Sequence, residues 1–229
     1  MPRGKLGRMK VETPDEETAR RYLAWLSGER LHHEPEALPG ITSRQLFGDF
    51  RSDAPLELEV GCGTGEFLCA LAASHPETNF VGVDLHVKSL YRAVTDASEK
   101  GLDNVLFLRA DFHLLYPLLA SESLRAAYLL FPDPGMKERQ RRRRIFSERF
   151  LRRMHEALEP GGRLVAVTDH EAYFSRMVEL SERAEGWERA PDEGLADPGG
   201  TTKTRFQSLW EGRGRVANSL TLVKRQGKL

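Results

Sequence analysis

The stretch "PLELEVGCGTGEFLCALAASH", residues 55–75, decides the fold. It reads as a strand, a glycine-rich turn and a helix. Gly61, Gly63 and Gly65 follow the strand directly, and glycines there let a backbone come close to a ligand. The spacing is G-x-G-x-G. A dinucleotide fingerprint, G-x-G-x-x-G, would place a glycine where Glu66 stands. An acid, Glu59, also sits inside the strand itself.

Working outward, "NFVGVD" (79–84) reads as a short buried strand and "SLYRAVTDASEKG" (89–101) as a helix stopped by Gly101. "NVLFLRAD" (104–111) is a strand, and "AAYLLFPDP" (126–134) is a strand halted by proline. Ser147 suits the N-cap of the next helix, and Phe150, Leu151, Met154 and Leu158 form its apolar stripe. Pro160 and Gly161 are expected to end that helix. "RLVAVTD" (163–169) is a fifth strand, "HEAYFSRMVELSERAEG" (170–186) a helix and "ANSLTLVK" (217–224) a last strand. Upstream, "PDEETARRYLAWL" (14–26) holds a short helix with acids in its first turn. Residues 191–203 read as a loop, and "TRFQSLWEG" (204–212) as a short helix. Strands alternating with helices predict an α/β fold with a mostly parallel sheet covered on both faces. Ligands in such sheets bind outside the carboxyl ends of the strands.

The chain has 229 residues, 40% of them hydrophobic, enough for one sizeable domain. Residues 1–45 read as a basic, partly flexible extension and 46–229 as the domain. Lys plus Arg and Asp plus Glu number 34 each, so bulk charge excludes nothing. Its distribution says more. Residues 1–10 carry four basic side chains and no acid, 137–153 nine and two, and 201–229 seven and one. Brought together by folding, these segments would focus a positive field on one face, as a nucleic-acid partner requires. Cys62 and Cys69 are too few for a disulfide framework and lack metal-site spacing, so no metal is expected. No apolar run approaches the roughly 18 residues of a membrane span, and the basic N-terminus lacks the apolar core of a secretory signal. The expectation is a cytoplasmic protein with no membrane contact and no obligatory protein partner.

Two further acids complete a pattern. Asp84 ends the second strand, 23 residues past Gly61, and Asp111 ends the third. Taken alone, an ordinary strand-end cap is the lesser alternative for each. Together with Glu59 and the glycines they resemble the class I methyltransferases, a Rossmann-like fold with a seven-stranded sheet that binds S-adenosyl-L-methionine. The resemblance implies that Glu59, Gly61, Gly63, Gly65, Asp84, Asp111 and Asp133 bind this cofactor. Asp84 would accept from the ribose hydroxyls and Asp111 from the adenine amine. A sulfonium cation has no pyrophosphate to repel, so acids around the pocket suit it.

"LLFPDPGMKERQRRRRIF", residues 129–146, narrows the match. With Asp169 in "VTDHEAY" and the Thr204-Arg205-Phe206 stretch, it resembles the tRNA (guanine-N7-)-methyltransferase family over roughly residues 45–225. The resemblance implies methyl transfer to N7 of a guanine in tRNA, in the variable loop. Asp133 would be the catalytic carboxylate. Lys137, Asp169, Thr204, Arg205, Phe206 and Gln207 would contact the substrate, and Arg139, Arg141, Arg142, Arg143 and Arg144 its phosphates. Two positions depart from the family pattern. Gly135 replaces a tryptophan, which removes a stacking surface. Gln207 replaces a glutamate, which removes charge assistance from a contact to guanine. The residues also leave open a methyltransferase for another RNA or a small molecule, and an RNA-binding relative without catalysis.

Overall fold

A computed structural model describes residues 11–135, 144–190 and 217–225 of the chain. The elements, in chain order, begin with α1 (Glu16–Tyr22), β1 (Leu23–Trp25), α2 (Gly28–His33) and α3 (Ser43–Phe47). The central series is β2 (Leu56–Val60), α4 (Glu66–Ser74), β3 (Asn79–Asp84), α5 (Val87–Glu99), β4 (Val105–Arg109) and β5 (Leu124–Leu130). The last part holds α6 (Glu148–Ala157), β6 (Leu158–Thr168), α7 (Glu171–Arg183), β7 (Trp187–Arg189) and β8 (Asn218–Lys224).

These strands form one eight-stranded sheet in the order β1-β4-β3-β2-β5-β6-β8-β7. The pairings from β1 through β6 are parallel, while β8 runs antiparallel to both β6 and β7. Parallel strands joined by helices leave both sheet faces to be covered, so their sequences read as buried runs. All five residues of β2 are buried, including Glu57 and Glu59.

Two apolar cores lie on opposite faces of the sheet. Leu56, Leu58 and Val60 of β2 pack on the α6 and α7 side, with Phe150, Met154, Tyr173 and Met177. The other face meets α1, α4 and α5 through Tyr22, Leu68, Leu90 and Ala93. Strand side chains alternate between faces, so Glu57 and Glu59 point away from Leu58. In α5 the buried residues are Leu90, Ala93, Val94 and Ala97, an i, i+3, i+4, i+7 stripe.

The class I methyltransferase architecture expected from the sequence is present, with one strand more than the expected seven. The added strand is β1, paired in register Leu23↔Phe107, Ala24↔Leu108 and Trp25↔Arg109. The upstream segment is therefore packed onto the domain where it is described. Tyr22 also donates its hydroxyl to the Leu102 carbonyl (2.7 Å), and the Ile41 N–H donates to the Leu118 carbonyl (2.7 Å). Two elements differ from expectation. Helix α6 starts as read, with the Ser147 Oγ accepting from the Phe150 N–H (3.2 Å), but it stops at Ala157, before Pro160. Leu158 is already extended, pairs with Leu124, and gives its carbonyl to the buried Lys224 ammonium (2.8 Å). Glu159 precedes a proline and is steered out of helical geometry. The second difference is β7, a short strand that takes Trp187 into the core.

Candidate active site

Parallel topology sends the carboxyl ends of β2, β3, β4 and β5 to one edge of the sheet. A cavity of about 740 Å3 opens there, and Gly61, Asp84, Asp111 and Asp133 all line it. Four residues singled out from separate parts of the sequence thus meet in one place. His86, Phe112, His113, Phe131 and Ile145 complete much of the wall.

The glycine turn is built for close approach. Gly61 has φ +79°, a left-handed value that side chains disfavour, and open space where a Cβ would stand. Gly65 has φ +71° and no such space: a Cβ would lie 2.6 Å from the Ala93 Cβ and 3.0 Å from the Phe107 ring. The turn therefore needs glycine at one end to face the cavity and at the other to seat α5. Between them, the Gly63 N–H donates to Asp84 Oδ2 (2.9 Å), while the His86 N–H donates to Asp84 Oδ1 (2.7 Å). These bonds fix the Asp84 carboxylate at the cavity wall, and each oxygen keeps further acceptor capacity. Asp111 is held similarly, its Oδ1 accepting from the His113 N–H (2.9 Å).

Glu59 is buried and does not itself line the cavity, although Val60 and Gly61 after it do, and its Oε2 has no hydrogen-bond partner among the described residues. Burial, and secondarily the charge of Asp84, pushes its carboxyl up to about 8. The buried Cys62 thiol is pushed up as well, first by desolvation and then by Glu59 and Asp84, which leaves it inert.

The Asp133 loop is held at both ends. β5 stops at Leu130, and Phe131 takes φ +49°, an unusual conformation for a bulky residue. Its N–H donates to the Val167 carbonyl of β6 (2.8 Å), which anchors the turn. Beyond it come Pro132, Asp133 and Pro134. Asp133 Oδ1 then accepts from the Gly135 N–H (2.9 Å), closing a tight turn in which Gly135 has φ +55°.

Sequence reasoning did not single out Tyr173 or foresee the local role of Arg144. Arg144 donates from Nε to the Pro134 carbonyl (2.7 Å), and its guanidinium lies 4.8 Å from the centre of the Tyr173 ring. Tyr173 is fully buried, its hydroxyl held up at about 12 mainly by desolvation, with Arg144 pulling it down and Asp133 pushing it up. A run of identical arginines carries no signal for which one turns inward.

Asp169 lies just past β6, exposed, at the same sheet edge. It does not cap α7. The cap is His170, whose Nδ1 accepts from the Tyr173 N–H (3.2 Å). Lys137, Arg139, Arg141, Arg142, Arg143, Thr204, Arg205, Phe206 and Gln207 lie outside the described residues.

Comparison with known proteins agrees with this arrangement. A family model described as "Putative methyltransferase" matches residues 53–219. The tRNA (guanine-N(7)-)-methyltransferase of Rubrobacter xylanophilus is 56% identical over 98% of this chain and 100% of its own. The enzyme of that name from Chloroflexus aggregans is 39% identical over 98% of both chains. Among solved structures, the 16S rRNA methyltransferase KamB superposes with a TM-score of 0.59 at 21% identity, covering 81% of this chain and 95% of that one, which supports the fold alone. Identity this high over essentially the whole length leaves one conclusion: the chain belongs to the tRNA (guanine-N(7)-)-methyltransferase family.

Proposed function

We propose that this protein transfers a methyl group from S-adenosyl-L-methionine to N7 of a guanine in tRNA. The observation that carries the reading is the meeting of Gly61, Asp84, Asp111 and Asp133 around one cavity in a chain of this family. The cofactor supplies an electrophilic methyl on a cationic sulfur. The residues present fit it. The cavity, at about 740 Å3, has the size of a cofactor site. Its acids suit a cation and would repel a pyrophosphate. Glu59 Oε2 is a buried acceptor lacking a donor among the described residues, as expected of a group that serves a bound cation or donor.

The chain's own task is positioning. Guanine N7 already carries a lone pair, so attack from it needs no general base. Gly61 admits the cofactor close to the backbone, Asp84 takes its ribose and Asp111 its adenine. Asp133 faces the same cavity on a loop stiffened by two prolines, and there it orients the guanine. The purine gains positive charge as the methyl arrives, and a fixed carboxylate stabilises that charge. Alignment supplies the remainder of the rate.

The finer assignments extend from this centre. Lys137, Asp169 and residues 204–207 hold the nucleotide, with Gln207 giving a neutral hydrogen bond in place of a charged one. Arg139, Arg141, Arg142 and Arg143 grip phosphates, and the basic residues of 1–10 add to that grip. The target guanine lies in the variable loop, and the work is done in the cytoplasm, where tRNA is found. Residues 46–229 carry the chemistry. The test is transfer of labelled methyl from the cofactor to unmodified tRNA, followed by strand cleavage at N7-methylguanosine. Label appearing in tRNA without cleavage would refute the reading.

A further inference from the structure

The last arginine of the run has a different neighbourhood from the one its composition suggests. A phosphate-binding arginine presents its guanidinium to solvent. Arg144 is half-buried and turned back onto the protein. Its Nε–H is spent on the Pro134 carbonyl at 2.7 Å, and the plane of its guanidinium is spent on the Tyr173 ring at 4.8 Å. Proline has no N–H and a fixed φ, so the Pro134 carbonyl is a stiff handle on the loop. On the other side of that handle, the Gly135 N–H binds Asp133 Oδ1 at 2.9 Å. Tyr173 in turn is fixed by full burial and by the cap of α7, where its N–H meets His170 Nδ1 at 3.2 Å. A continuous chain of contacts thus runs from the core helix α7 through Tyr173 and Arg144 to Pro134 and the Asp133 turn.

We infer that Arg144 is a positioning residue: it braces the Asp133 loop against Tyr173, and it does not bind a tRNA phosphate. This rests on Asp133 facing the reacting guanine. The brace compensates for what the loop lacks. Gly135 has no side chain to pack, and its left-handed φ of +55° is one that side chains disfavour, so nothing beyond its backbone holds the turn at that position. A guanidinium suits the task because it can donate in its plane and stack on its face simultaneously, which an ammonium cannot do.

The two roles of an arginine separate experimentally. Arg144→Met keeps a long apolar stem and removes charge, donor and plane. Arg144→Lys keeps the charge. For both variants the measurements are tRNA affinity across a salt series and the single-turnover methyl-transfer rate at saturating tRNA and cofactor. Thermal unfolding and cofactor affinity report on folding. A brace gives a rate at least about tenfold lower in Arg144→Met, because small misplacements of reacting groups are costly. It leaves the salt slope of tRNA binding unchanged, and Arg144→Lys fails to restore the rate. A phosphate contact gives the opposite result: the slope falls by about one, the saturated rate stays at the wild-type value, and lysine rescues affinity. That outcome overturns the inference. Asp133→Asn in the same assay separates the two layers. If it is slow while Arg144→Met is fast, the brace alone fails. If Asp133→Asn keeps the wild-type rate, the reading of Asp133 fails and the brace with it.

Discussion

Glu57 and Glu59 stand two residues apart on β2, both with buried carboxylates pointing to the same face, and they are treated oppositely. Glu57 Oε1 accepts from Arg125 Nε and Nη2 (2.9 and 2.7 Å), and its Oε2 accepts from the Tyr128 hydroxyl (2.9 Å). Glu59 Oε2 has no partner among the described residues. The satisfied carboxylate ties strands β2 and β5 together. The unsatisfied one lies just before Val60 and Gly61, which line the cavity, and burying a charge without a partner is costly.

The satisfied pair has a structural cost of removal. Arg125→Met leaves Glu57 buried without its cation and is expected to destabilise the fold by about 3–5 kcal/mol. Cofactor affinity of the folded variant should match the wild type. Denaturant unfolding and a binding titration measure the two quantities.

The unsatisfied carboxylate predicts a pH effect of definite sign. In the fold, Glu59 holds its proton up to about pH 8, against an ordinary value of about 4.5. The unfolded chain releases that proton earlier, so Glu59 makes stability fall as pH rises through this window. Glu59→Gln removes the penalty, and its melting temperature should gain on the wild type at pH 9 more than at pH 6. Cofactor affinity should drop about tenfold or more. A cationic ligand favours the ionised form, so wild-type binding near neutral pH should release a proton, seen as a buffer dependence of the binding enthalpy that Glu59→Gln lacks.

The glycines separate stability from binding. Gly65→Ala forces a Cβ within 2.6 Å of Ala93 at a left-handed φ, and a cost of about 1–3 kcal/mol is expected. Gly61→Ala has room for its Cβ, so its fold should suffer less, while the added methyl sits in the cavity wall and weakens cofactor binding. Thermal melts with and without cofactor distinguish the two variants.

Phosphate binding should show in salt. Affinity for tRNA should fall steeply between low and physiological ionic strength. Replacing Arg141, Arg142 and Arg143 together should lower the log–log slope by about three, one for each phosphate no longer neutralised. A flat salt response would place tRNA recognition outside the basic segments.

Much of this was legible before any coordinates. A parallel sheet puts all its strand ends on one edge, so acids ending three successive predicted strands had to converge once the alternation of strand and helix was read. Other features carried no local signal. Strand β1 is three residues long, too short for periodicity, and exists because the free edge of β4 accepts it. The early end of α6 depends on Leu124 and Lys224, which are distant in sequence from Leu158. The Arg144 brace was illegible for a similar reason: four identical side chains in a row differ only in what the folded chain sets beside them.

The central claim is methylation at guanine N7, and substrate chemistry tests it directly. One tRNA transcript is made with guanosine and a second with 7-deazaguanosine, which keeps the pairing face and replaces N7 with carbon. Both are incubated with labelled cofactor and the enzyme. The expected result is label in the first transcript, at a single position cleaved as N7-methylguanosine, and none in the second. Equal labelling of both transcripts would contradict the account.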